Sequence, residues 1–509
     1  MSYPGLGYHI AATLPEMQQE ILRHIDEVSL AVLRHTLLGA PIRTKEFVYS
    51  IPIYTNGLKF FEWFHSIGHQ LNYFAAAAHG DVEVVHWAII NHKEDSICNG
   101  LAYSGRFKLL EFARYHGCPC TAKTYECAAI RGHLYIQQWL KSIKCPCDVN
   151  TPKYAAVGGH LDMLIWLKES GLPWNTSICA YAAEGGHLMI LKWARAQGCG
   201  WNELTCSFAA SEGHLTILQY AREQGCPWDE KTTAGAAENS HWEVLQWAHN
   251  NGCPWDEKTC ENIALNGNLA MLQWARDQKC PWNANTCHAA ALGGHLDVLK
   301  WVRSQGCPWT AGTCSAAAKG GHLDVLKWAR FGTINGAEHQ GCNWDDMTCA
   351  FAAQRGYLDI LKWARANGCP WSEFVCWTAA EHRQWATLRW LLSNGCPCDE
   401  STCYEIAASG NLVMMQWARN NGCPWDGQTC TNAASYGHIE LLQWLRNQGC
   451  PWDEWTFKIT AMSCNLDMLK YIISQGCPWK EDDISHASEQ YCFDLVKWAR
   501  ENGYSSAAL

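Results

Sequence analysis

The sequence predicts an all-α fold, an α-solenoid of stacked helix-turn-helix repeats with a small helical segment at the N-terminus. Three observations predict it. A cysteine recurs every 27 residues at Cys226, Cys253, Cys280 and Cys307, and the series resumes at Cys342, Cys369, Cys396, Cys423, Cys450 and Cys477. A fixed period of this length marks a repeat array. Each copy carries apolar residues at helical spacing, and glycines punctuate it twice. A chain of 509 residues would otherwise suggest several globular domains. An array grows lengthwise and needs no single core.

The copy from Cys253 to Lys279 shows the parts. Asp256 is placed to accept from the first free N–H groups of a helix, and Glu257 suits the positive end of its dipole. Cys260, Ile263 and Ala264 fall on one face of that first helix, and Gly267 ends it. A second helix follows, in which Leu269, Met271, Leu272, Trp274 and Ala275 cover more than half the circumference. A helix that apolar is packed on several sides. In the copy around Gly294, Asp297 lies in the first turn while Lys300 and Arg303 lie near the end, as the macrodipole favours. Gly-Cys-Pro then stops the helix and turns the chain. The aromatic ring at the Trp274 position recurs from Trp63 to Trp498 and counts about 17 repeats. Fully buried, one such ring is worth about 3–5 kcal/mol.

The run Thr151-Pro152, Ala155-Ala156, Gly159-His160-Leu161 resembles the ankyrin signature, and its Ala-Ala and Gly-His elements recur at Ala128-Ala129 with Gly132-His133, Ala182-Ala183 with Gly186-His187, and Ala433-Ala434 with Gly437-His438. Ankyrin repeats are about 33 residues long. The residues missing here fall where that family places its β-hairpin finger, so few or no strands are expected. The short Cys-Pro-Trp form is similar to the ankyrin-like arrays of giant DNA viruses and some unicellular eukaryotes. The array is placed at residues 46–509, with an insertion near 331–339.

Residues 1–45 lie outside the repeat. Leu14-Pro15, Ile21-Leu22, Ile25-Asp26 and Leu30 resemble the start of an F-box, a small helical module that docks on the Skp adaptor of cullin–RING ubiquitin ligases. The resemblance implies that Leu14, Pro15, Ile21, Leu22, Ile25 and Leu30 carry that contact. A capping helix is the alternative: Ile21, Leu22, Ile25, Val28, Val32 and Leu33 would then cover the open face of the first repeat.

Composition narrows the function classes. The net charge is -10 and no block of Lys or Arg appears, which argues against nucleic-acid binding. No stretch of 18 apolar residues and no secretory signal is visible, so no membrane span is expected. Most of the 29 cysteines sit at the Cys253 and Cys260 positions, as small apolar core residues, and imply a reducing compartment, cytoplasm or nucleus (a host's cytoplasm if the chain is viral). The pair Cys118-Pro119-Cys120 and Cys145-Pro146-Cys147 offers four thiols in adjacent repeats, but the repeat already explains the first of each pair, so no metal is assigned. Cys396-Pro397-Cys398 has no such neighbour. The Gly-His column (His133, His160, His187, His214, His241, His295, His322, His438) is structural, each ring bonding the backbone of the adjacent repeat. No catalytic motif is present; no enzyme activity and no cofactor are expected.

Function then falls to positions that vary on a constant framework. Trp242, Trp377, Trp385, Tyr404 and Trp455 are the partner-binding candidates, since aromatic groups dominate binding hot spots. The expected function is a monomeric protein-interaction scaffold: a substrate-recognition subunit of an SCF-type ubiquitin ligase if the F-box is genuine, and a plain binding or tethering scaffold if the segment is a cap.

Overall fold

Small side chains decide how the repeats stack. The computed structural model describes residues 73–79, 82–171, 177–334, 337–338, 341–453, 455–480 and 493–503. The F-box-like residues Leu14, Pro15, Ile21, Leu22, Ile25 and Leu30 lie outside them, as does Trp63. Among the described residues are 31 helices, from Tyr73–His79 to Phe493–Glu501. Most are nine or ten residues long and alternate as first and second helix of a repeat. The chain divides into two compact units, Met1–Thr259 and Cys260–Leu509. In each, consecutive first helices pack closely along the stack, whereas consecutive second helices touch much less. The first helices carry the Ala-Ala pair, Thr and Cys; Ala290, Thr286 and Cys287, like Ala317, Thr313 and Cys314, are wholly buried. Helices lined with such residues approach closely, and those lined with Trp and Lys do not.

The Gly-Gly-His turn locks this approach. A side chain at Gly293 would strike the Leu265 carbonyl of the preceding repeat. Gly294 has a φ of +80°, which ends the helix Ala284–Gly293. His295 then begins the helix Leu296–Ser304, and its ring Nε2 lies 3.0 Å from that same Leu265 carbonyl. The next ring, His322, covers Gly294 so closely that a Cβ there would overlap it. The same bond joins His160 to Ile130 at 3.1 Å, His187 to Val157 at 3.0 Å and His438 to Ala408 at 3.1 Å. His133 and His214 make it as well, so six of the eight histidines of the column bond as expected, although the rings are half-buried.

Helix starts follow the sequence too. Asp256 accepts from Lys258 N at 3.0 Å and Asp426 from Gln428 N at 3.0 Å. The core is built of leucine, isoleucine, alanine and cysteine; Leu299, Leu326 and Leu388 are wholly buried. The Trp274-type rings are half-buried, and Trp417 is 37% exposed, so the price of full burial does not apply to them. The insertion holds the only strands among the described residues: β1 (Thr333–Ile334) pairs antiparallel with β2 (Ala337–Glu338).

Two glycines with the same dihedral separate the two roles of the turn. Gly306 also has a φ of +80°, but open space surrounds it. Gly306→Ala is expected to cost about 1–2 kcal/mol for the left-handed backbone alone. Gly294→Ala is expected to cost clearly more in a urea melt, because His322 must move, and His322→Asn should recover part of the excess. Equal costs for the two alanine variants would remove the role given to the ring.

Candidate partner-binding surface

The short linker between repeats is a ladder of cations and rings. Arg303, in the last turn of Leu296–Ser304, donates from its guanidinium to the Cys307 carbonyl. Arg195 does the same to Cys199 at 2.6 Å and Arg419 to Cys423 at 2.6 Å. The guanidinium then lies over the linker tryptophan, between 3.8 Å for Arg419 on Trp425 and 4.8 Å for Arg330 on Trp344, across the insertion. That tryptophan meets the ring of the following second helix edge-on, as in Trp228 with Trp247 at 6.1 Å and Trp425 with Trp444 at 5.8 Å. A cation over an indole is worth about 0.5–2 kcal/mol. Arginine six residues ahead of Trp was visible in the sequence and is the signal for this ladder. The ladder takes the place of a hairpin as the tie between repeats.

Thiols fill the space beneath. Burial pushes Cys253 and Cys403 up to about 12, so both stay protonated at neutral pH and behave as apolar groups. Among the described residues, no group of His, Cys, Asp and Glu is arranged to hold a metal ion. Cys398 departs from the pattern: it forms a disulfide with Cys423, one repeat later. The neighbour is therefore a linker cysteine, where the sequence directed attention to a second Cys-Pro-Cys.

The five candidate rings do not share one surface. Trp242 opens the helix Trp242–Asn250 and Trp385 opens Trp385–Ser393, each half-buried in the place that Leu296 takes elsewhere. Trp455 is 50% exposed at the head of Thr456–Met462, with the Lys458 ammonium 5.3 Å from its ring centre. Trp377 and Tyr404 do come together, at the same position on the consecutive first helices Glu373–Glu381 and Glu400–Ser409. Trp377 stacks on Phe374 at 5.2 Å, and Phe374 is 40% exposed. Its indole donates to Glu405, the neighbour of Tyr404. Burial, and after it the Glu381 charge, holds the Glu405 carboxyl above its ordinary value. The Tyr404 hydroxyl donates to Asp426 Oδ2 at 2.6 Å. Beside this patch Glu381 meets His382 at 3.4 Å. Phe374 was not singled out in the sequence, since nothing there distinguishes an exposed phenylalanine from a core one. No helix among the described residues is long and apolar enough to cross a membrane.

No family model and no curated protein matches the sequence. Among solved structures, the chain is similar to the human ASB11 ankyrin repeat domain, with 16% identity over 32% of this chain and 84% of that one and a TM-score of 0.26. It is similar to the pentatricopeptide repeat protein PPR10 from maize at 13% identity, over 86% of this chain and 72% of that one, with a TM-score of 0.24. PPR10 in complex with an 18-nt psaJ RNA element gives 12% identity, coverage of 100% and 97%, and a TM-score of 0.23. The assignment as an all-α repeat array rests on this chain's own helices.

Surface and core roles differ in cost. Tyr404→Phe is expected to lower stability by about 1 kcal/mol, the net worth of one hydrogen bond. Leu388→Ala, at a wholly buried site, is expected to cost about 2–5 kcal/mol. Chemical denaturation of the two variants checks the contrast; a Tyr404 variant as damaged as the leucine one would make the ring part of the core.

Proposed function

We propose that the array is a protein-binding scaffold whose partner contacts the patch of Phe374, Trp377, Tyr404 and Glu405. The observation that carries this reading is the pairing of Trp377 and Tyr404 on adjacent first helices, where the matching residues of other repeats are Glu261, Ser315 and Ala350. Aromatic groups held by hydrogen bonds and rimmed by Glu381, Glu405 and Asp426 suit a partner with apolar and basic side chains. The net charge of -10 supports the same choice and disfavours a nucleic-acid partner. The array itself carries no chemistry in this reading.

The finer reading joins the array to ubiquitin transfer. The F-box-like residues Leu14, Pro15, Ile21, Leu22, Ile25 and Leu30 would dock on the Skp adaptor, and the array would present its captured partner as substrate. The second reading, a plain scaffold with 14–38 as a cap, is favoured by the apolar face that Ile21, Ile25, Val28 and Val32 form at helical spacing.

Full-length protein is expected to retain the Skp adaptor in a pull-down, and the Leu14→Ala/Pro15→Ala/Ile21→Ala variant to lose it with an unchanged melting temperature. Failure of both forms to bind, with a less stable variant, would reduce the protein to the plain scaffold. Trp377→Ala/Tyr404→Ala tests the patch separately: captured partners should be lost while the adaptor is kept.

A further inference from the structure

The linker geometry repeats so regularly that one cross-link predicts another. In eight of the linkers the thiol sits against the carbonyl of the residue that follows the Trp position of the repeat before. Cys226 Sγ lies 3.4 Å from Asn202 O, Cys253 Sγ 3.4 Å from Asp229 O, Cys307 Sγ 3.3 Å from Asn283 O and Cys369 Sγ 3.4 Å from Asp345 O. A cysteine at the Trp position is therefore beside the thiol of the next linker. Cys398 is such a residue, and it is bonded to Cys423 across a Cα–Cα distance of 5.6 Å and a separation of 25 residues. That distance suits a disulfide without backbone movement.

Cysteine replaces the tryptophan at two other places, Cys120 and Cys147. At Cys147 the next linker offers Leu172 and no thiol. At Cys120 it offers Cys145, again 25 residues on, and Cys145 Sγ lies 3.6 Å from Thr121 O, in the register of the other linkers. Both thiols are free, Cys120 at 9% exposure and Cys145 half-buried.

We propose that Cys120 and Cys145 form a further inter-repeat disulfide, so that the last cysteine of a Cys-Pro-Cys run is a redox staple to the linker thiol of the next repeat, as Cys398 is to Cys423. At both places the staple takes the position of the linker tryptophan, and Arg114 is retained six residues ahead of Cys120. At Cys398 the arginine six residues earlier is also absent, replaced by Leu392, and the following ring, Trp417, is 37% exposed. A covalent bond between consecutive repeats stands in for the linker ring at both places and, at Cys398, for the cation as well.

The oxidant is a low-molecular-weight disulfide. The Cys120 thiolate attacks one of its sulfurs, giving a mixed disulfide and releasing one thiol. The Cys145 thiolate then attacks the Cys120 sulfur and releases the second thiol. The two protein thiols lose two electrons and two protons, which the small disulfide gains as two thiols. Cys120 suits the first role, since the neighbouring Cys98 thiol donates to it and lowers it from the ordinary cysteine value. Burial pushes Cys145 up to about 12, which suits the slower, resolving role.

Full-length protein equilibrated in oxidised glutathione, alkylated and digested without reduction is expected to give a peptide pair linking Cys120 to Cys145 beside the pair linking Cys398 to Cys423. Dithiothreitol should abolish both. Cys145→Ser should remove the first pair, keep the second, melt below oxidised wild-type protein, and match wild-type protein once both are reduced. Full alkylation of Cys145 after oxidation, its linkage to Cys118 or Cys147 instead, or stoichiometric zinc held by these thiols would overturn the proposal.

Discussion

The close approach of one first helix to the next governs the stack. At the tightest point the Leu265 carbonyl faces a glycine that can carry no side chain, Gly293, and takes a bond from the ring of His295. The carbonyl is one of those a helix end leaves unmatched. The next repeat therefore both crowds it and satisfies it. Once this contact is fixed, the Ala-Ala pair, the left-handed Gly294 and the covering His322 follow, because each fills or vacates a space that the contact defines. Stability in such an array is close to a sum of nearest-neighbour terms. The Gly-His contact is the term that every regular repeat supplies to the next.

The exceptions obey the same geometry. Arg383 takes the glycine place with a φ of +55°, and one repeat later the covering residue is Asn411, not histidine. Asn411 turns inward and accepts from Met414 N at 2.9 Å, capping its own helix and leaving room for the arginine side chain. Ser240 and Asn268 show the same exchange in the sequence. Asn465 accepts from Met468 N in the same way although the residue it faces is a glycine, Gly437, so the inward turn belongs to the asparagine and is what lets a larger residue take the glycine place.

Much of this was legible in the sequence. The period, the Asp256 cap, the glycine turns and the bond from the histidines to the neighbouring backbone all follow from local rules that act within one repeat or between two. What was not legible depends on depth. Periodicity gives the face of a helix on which Trp274 and its counterparts lie, but not that the stack leaves them half-buried. It could not distinguish Trp242 and Trp385, which fill a leucine place, from Trp377, which meets the next repeat through Glu405. Nor did spacing within one repeat bring Cys398 to Cys423, since their contact is made only after the repeats are stacked.

Where the departures fall bears on which part of the array binds. Departures occur along the whole array, at Ser240 and at Cys120 among others. Yet the stretch from 373 to 426 holds Arg383 in the turn, Leu392 in place of the arginine, the Cys398–Cys423 bond, and the Trp377 and Tyr404 rings with their acidic partners. Two consecutive repeats have lost a rung of the non-covalent ladder and gained a covalent tie, next to rings anchored by hydrogen bonds. Rigid support under a set of partly exposed aromatic groups lowers the entropy lost when a partner is bound. In the proposed patch such support lies beneath Trp377 and Tyr404, beside the Cys398–Cys423 bond.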